Sequence, residues 1–159
     1  MSENEALPRD IRGVLIPISG GRLLLPNATV AEVITLSTPE PIVGAPGWLL
    51  GRIAWRGWRL PLVSFATLAG LAEREGTLHS RVAVLKALGG NPRMPFLALA
   101  TQGFPRLTTL SADIIVPTGD GTPLPACVRE QVLVRDDVAV IPDMEEIERE
   151  VTAALAAAA

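Results

Sequence analysis

The chain has 159 residues, 48% hydrophobic and 19% charged, with 14 Lys and Arg against 17 Asp and Glu for a net charge of −3. That balance supports a buried core and excludes a disordered chain. The length fits one domain, or two small subdomains sharing a core. Cations matched by acids and spread along the chain exclude the basic patch of a nucleic-acid reader.

A single cysteine, Cys127, cannot form an internal disulfide, which fits a reducing compartment. Residues 1–9 read as a loose polar and acidic leader with no apolar core of a secretion signal. No run of 18 apolar residues escapes interruption by Gly, Pro or charge, so membrane insertion is not expected. A soluble, cytoplasmic protein is the expectation. The 14 Gly and 14 Pro punctuate short apolar runs, a pattern of many short strands rather than long helices. The fold class read from this is all-β with a short C-terminal helix.

In chain order, residues 11–18 form a strand apolar on both faces, and Ser19-Gly20-Gly21 turns it into a partner at 22–26. Residues 27–35 read as a further strand or a short irregular element, with one acid, Glu32, among Val30, Val33 and Ile34. Three prolines and a glycine make 38–46 an extended loop. It delivers the chain to residues 46–65, which hold all three tryptophans, Trp48, Trp55 and Trp58. Two apolar segments flank Arg56-Gly57 there, the signature of a β-hairpin.

Beyond the hairpin, Leu68, Leu71 and Ala72 are spaced for a short helix, or a single turn of one, within 66–75. A break at 76–80 is a plausible subdomain boundary. Strands are expected at 81–88, 94–101, 106–110 and 113–116, a loop at 117–125, and a last hairpin from strands 126–134 and 138–141. Asp143, with Glu146 three residues on, starts a helix as a capping box. Met144, Ile147, Val151 and Leu155 give that helix one apolar stripe. Glu145, Glu146 and Glu148 suit its positive N-terminal end. The domain proper spans 10–155, and the tail at 156–159 should fray.

Catalytic chemistry is scarce. His79 is the sole histidine and sits in an expected loop; Cys127 sits in an expected strand. A hydrolase would need a nucleophile, that histidine and an orienting acid, and a metal site needs several ligands at suitable spacing. No catalytic residue, metal or cofactor is assigned. Asp136-Asp137 reads as turn chemistry. Arg52, Arg56 and Arg59 fit a solvated strand face; alternatively Arg56 forms a planar, bidentate bond with Glu32. The tryptophans fit core filling, or an interface rich in Trp and Arg.

The order VAEVI at 30–34, a Pro-rich loop with PGW at 46–48, GRIAWRG at 51–57 and LPLVSF at 60–65 resembles the CheW-like adaptor family. That family carries V-x-E-V, a Pro loop, G-x-x-x-x-R-G and x-P-V-x-D-L. The resemblance covers about residues 11–71. It implies two packed five-stranded β-barrel subdomains and no enzyme activity. It implies a chemosensory scaffold linking the cytoplasmic tip of a methyl-accepting chemoreceptor to the regulatory domain of a CheA-type histidine kinase. Carried over, Glu32 and Arg56 match the paired acid and arginine of the first barrel, and Val30 and Val33 match its apolar groove residues. With Trp55 and Trp58 they make the expected protein interface. Two departures stand out. Ser64-Phe65 replaces the Asp-Leu of the family motif, and LALATQGFPRLTTL at 97–110 lacks the family's G-x-x-V-D-x-V. Such divergent copies resemble the ChpC-like adaptors of systems controlling type IV pili and twitching. A small-molecule or peptide-binding β-barrel sensor, with tryptophans lining its pocket, is the alternative from another class.

Overall fold

The computed structural model describes residues 11–76, 80–110, 115–118, 121 and 123–158. Eleven described strands form two sheets, with two helices. The strands are β1 (Ile11–Ile18), β2 (Gly21–Pro26), β3 (Val30–Thr35), β4 (Leu49–Trp55), β5 (Trp58–Val63), β6 (Arg81–Lys86), β7 (Phe96–Thr101), β8 (Arg106–Leu110), β9 (Ile115–Pro117), β10 (Val128–Val134) and β11 (Asp137–Pro142). The helices are α1 (Phe65–Leu68) and α2 (Met144–Ala158).

One sheet has six strands in the order β8-β1-β2-β11-β10-β9; the other has five in the order β3-β6-β7-β5-β4. The expectation of five strands in each body is thus exceeded by one in the first. The expected boundary at 76–80 falls between β5 and β6, which share a sheet. Sheet membership changes instead between β2 and β3 and between β7 and β8, so the five-stranded sheet is inserted into the six-stranded one. Parallel pairings seal this arrangement, Leu23 with Val140 and Leu62 with Ala98.

Three apolar clusters explain why so many strands are hydrophobic on both faces. Val82, Val84, Ala98 and Ala100 point into the five-stranded body with Ile53, Leu60 and Leu62. Their strand neighbours Ala83, Leu85, Leu97 and Leu99 point the other way, into the core between the two sheets. Leu15 and Leu24 fill the six-stranded body, while Val14, Ile16, Leu23 and Leu25 join the shared core. Period-two alternation therefore places one apolar set on each side of a strand buried on both faces. Each fully buried leucine contributes about 2 kcal/mol relative to exposure.

Local expectations fared unevenly. Residues 27–35, read as a further strand or a short irregular element, hold a tight 3-10 turn at Asn27–Thr29 and then β3. Of the short helix or single turn read within 66–75, the single turn is present, at Phe65–Leu68 and ahead of Gly70 at a φ of 78°. Helix α2 includes residues 156–158 of the expected tail, and Ala158 lies opposite Gly44. The leader, His79, the first part of the strand at 113–116 and Ala159 lie outside the described residues.

The capping box at α2 is half formed. Asp143 Oδ1 accepts the Glu146 amide at 3.1 Å, which holds the Asp143 carboxyl below its ordinary value. Glu146, however, accepts the Cys127 amide at 3.0 Å rather than the amide of Asp143, whose N–H goes to the Cys127 carbonyl. Glu75 joins the two bodies. Its carboxylate accepts the Ser19 hydroxyl at 2.9 Å, the Ser64 hydroxyl at 2.7 Å and the Gln102 amide at 2.6 Å. Ser64 also caps α1 by accepting the Thr67 amide. An aspartate at 64 would set a second carboxylate against Glu75.

Candidate functional site

The hairpin β4–β5 turns through two residues, Arg56 at a φ of 47° and Gly57 at 82°. Positive φ at both central positions is the turn whose twist matches the flanking strands. Glycine adopts it freely, whereas arginine is strained there. The turn stands at the end of the five-stranded body, with Trp55 and Trp58 as its first cross-strand pair.

Strand order sets β3 and β4 at opposite edges of their sheet, yet the two edges are joined. Glu32 on β3 accepts the Trp55 indole N–H at 2.8 Å and the Arg56 Nε–H at 3.2 Å, with Arg56 Nη2 at 3.1 Å. All three donors converge on one oxygen, Oε1. The expected Arg56–Glu32 pair is therefore present, but both arms of the guanidinium meet one carboxylate oxygen rather than two, and the indole shares it. The Arg56 guanidinium also lies over the Trp55 ring, 5.2 Å from its centroid. Trp55 in turn meets Phe96 edge-on at 4.9 Å. Together these contacts curl the sheet toward a barrel.

The electrostatics are those of a surface. The Arg56 side chain is 70% exposed and that of Glu32 37%. The Glu32 carboxyl is held below its ordinary value, first by the indole hydrogen bond and then by Arg56. An ion pair so exposed and salt-screened contributes little to stability. What it does is fix the orientation of an indole and a guanidinium at the rim.

The β4 edge is covered by the Pro-rich loop. Glu40 and Arg52 exchange both backbone hydrogen bonds at 2.8 Å. Gly51, at a φ of 141°, permits this approach, since a side chain there would meet the Glu40 carbonyl. The Glu40 carboxylate pairs with Arg59 across the hairpin. Sequence reasoning missed this contact, although Glu40 is the one acid in that loop.

The remaining expected residues separate. By register Val30 lies beside Leu85 and Val33 beside Ala83, on the face toward the core between the sheets. Glu32 lies beside Val84, on the interior face. A bulge between Val30 and Glu32 puts both valines on one face. Trp58 is 39% exposed at the hairpin end. Trp48 instead packs against the shared core, so the three tryptophans do not form one patch.

Cys127 is buried, with a φ of 61°. Burial and the nearby Glu146 push its thiol up to about 12, far from a reactive thiolate. Among the described residues, no three His, Cys, Asp or Glu are grouped to hold a metal ion, and no helix is long and apolar enough to cross a membrane.

Three comparisons place this geometry among known proteins. A family model described as the CheW-like domain matches residues 12–151. The crystal structure of the scaffolding protein TtCheW from Thermoanaerobacter tengcongensis superposes with a TM-score of 0.70 at 19% identity, covering 89% of this chain and 90% of that one. At that identity the likeness is one of fold. Among curated protein sequences, none matches.

Proposed function

The chain belongs to the CheW-like domain family, and from that premise we propose that it is a non-enzymatic chemosensory adaptor. It works in the cytoplasm, bridging the tip of a methyl-accepting chemoreceptor to the regulatory domain of a CheA-type histidine kinase. The observation that carries this reading is the Glu32–Trp55–Arg56 cluster, where one carboxylate fixes an indole and a mostly exposed guanidinium at the rim. Trp and Arg anchors of this kind dominate protein interfaces, and charge sets the register of partners. Val30 and Val33, on the opposite face of β3, add an apolar surface toward the junction of the two bodies.

The test is a pull-down of the kinase regulatory domain and the receptor tip with the full chain. Arg56→Ala is expected to keep the circular dichroism spectrum and to weaken capture of at least one partner. Unchanged capture of both would overturn the assignment of the cluster.

The narrower setting is a system controlling type IV pili and twitching, supported by the divergent sequence at 97–110. The sensor alternative finds less support. Cavities of about 590, 480 and 470 Å³ have no tryptophan in their walls.

A further inference from the structure

The outer face of the same hairpin carries a second surface. Register sets Arg52 beside Pro61 and Arg59 beside Ala54, away from the Ile53–Leu60 interior. The last turns of α2 and the turn before β7 approach this face and leave a groove of about 480 Å³. Arg52, Arg59 and Arg93 stand in its walls with no Asp or Glu among the lining residues, and Pro61, Met94 and Leu155 supply apolar surface.

Past Met94 and Ala156 the groove adjoins a second cavity of about 470 Å³, whose walls hold Arg149 with Glu145 and Glu148. Glu148 is engaged by the Leu88 and Gly89 amides, and Glu145 lies 3.9 Å from Arg129. Arg59 is paired with Glu40. Among the described residues, the ion pairs include neither Arg52 nor Arg93. Three guanidiniums on one groove run against the net charge of −3 of the whole chain.

We propose that this groove is a docking surface for an acidic peptide segment of a partner protein. Carboxylates of the segment meet Arg52 and Arg93, and an apolar side chain rests on Met94 and Leu155. Guanidiniums match carboxylates in geometry as well as charge. A nucleic acid fits less well, because no aromatic ring lines the groove to stack a base. The surface stands apart from the Glu32–Arg56 cluster and does not depend on the role proposed for it.

The experiment is fluorescence anisotropy on the full chain with a labelled synthetic peptide of alternating Glu and Leu, and with its Lys-for-Glu counterpart. The acidic peptide is expected to bind, to weaken with added salt, and to lose at least about tenfold in affinity in Arg52→Glu/Arg93→Glu. Ala156→Trp, which fills the groove without altering charge, should weaken binding as well, and Arg56→Ala should leave it unchanged. Circular dichroism confirms that each variant is folded. No binding of the acidic peptide, equal binding of the basic one, or no loss in either groove variant overturns the proposal. So does sedimentation that shows self-association abolished by the groove substitutions, since the occupant would then be a second copy of this chain.

Discussion

The carboxylates of Glu32 and Glu148 each close a gap in the five-stranded body, in opposite electrostatic settings. Glu32 lies at the rim and takes its hydrogen bonds from side chains, an indole and a guanidinium. Glu148 projects from α2, is only 6% exposed, and takes the backbone amides of Leu88 and Gly89 at 2.7 Å each. Removing Glu148 would take a buried acceptor from two backbone amides, on residues that are themselves exposed. Removing Glu32 releases groups that water can reach. A carboxylate that satisfies backbone serves the fold; one that orients exposed side chains can be given over to the proposed recognition at little structural cost.

The contrast can be broken first at Glu148. Glu148→Ala is expected to lower stability by about 1–2 kcal/mol, seen as a lower urea midpoint with unchanged slope. A loss no larger than that of an exposed glutamate would erase the distinction. Next comes the strained turn. Arg56→Asn should raise stability by about 1 kcal/mol, because asparagine tolerates positive φ better than arginine, while capture of the partner weakens. If the same melt showed a loss instead, the guanidinium would be holding the barrel closed rather than facing a partner.

The smallest effect belongs to Glu32. Its pKa is depressed from 4.5, so its contribution is complete above that value and is lost as pH falls through the folded pKa. Tryptophan emission of the wild type should therefore shift on acidification below 4.5, and Glu32→Gln should abolish that shift while barely moving the urea midpoint. A shift of equal size in the variant would trace the signal to another group.

Much of the rim was legible because its signals are local. Arg-Gly between two apolar runs specifies a hairpin, and a lone acid among valines must find a partner. Other features were hidden because their partners are distant and leave no side-chain mark. Glu148 reads as one of three acids suited to a helix start, yet the amides it accepts lie about sixty positions away in sequence. Asp137 reads as turn chemistry, yet it belongs to β11 and pairs with Arg22 and Arg106. Trp48 sits close in sequence to Trp55 and packs against a different core, because the run of β4 carries the two rings apart. The nesting of one sheet inside the other was equally invisible, since the parallel pairing of Leu23 with Val140 has no turn to announce it.

That nesting has a kinetic consequence. Strands β3 to β7 are contiguous in sequence, whereas β2 cannot pair with β11 until nearly the whole chain exists. Ends far apart must overcome a larger loop-closure entropy. A chain leaving the ribosome amino end first can thus complete the five-stranded body while β1 and β2 still await their neighbours. Pulse-labelled hydrogen exchange during refolding should protect the Val84 and Ala98 amides before those of Leu23 and Val140; the reverse order would show that the outer sheet templates the inner.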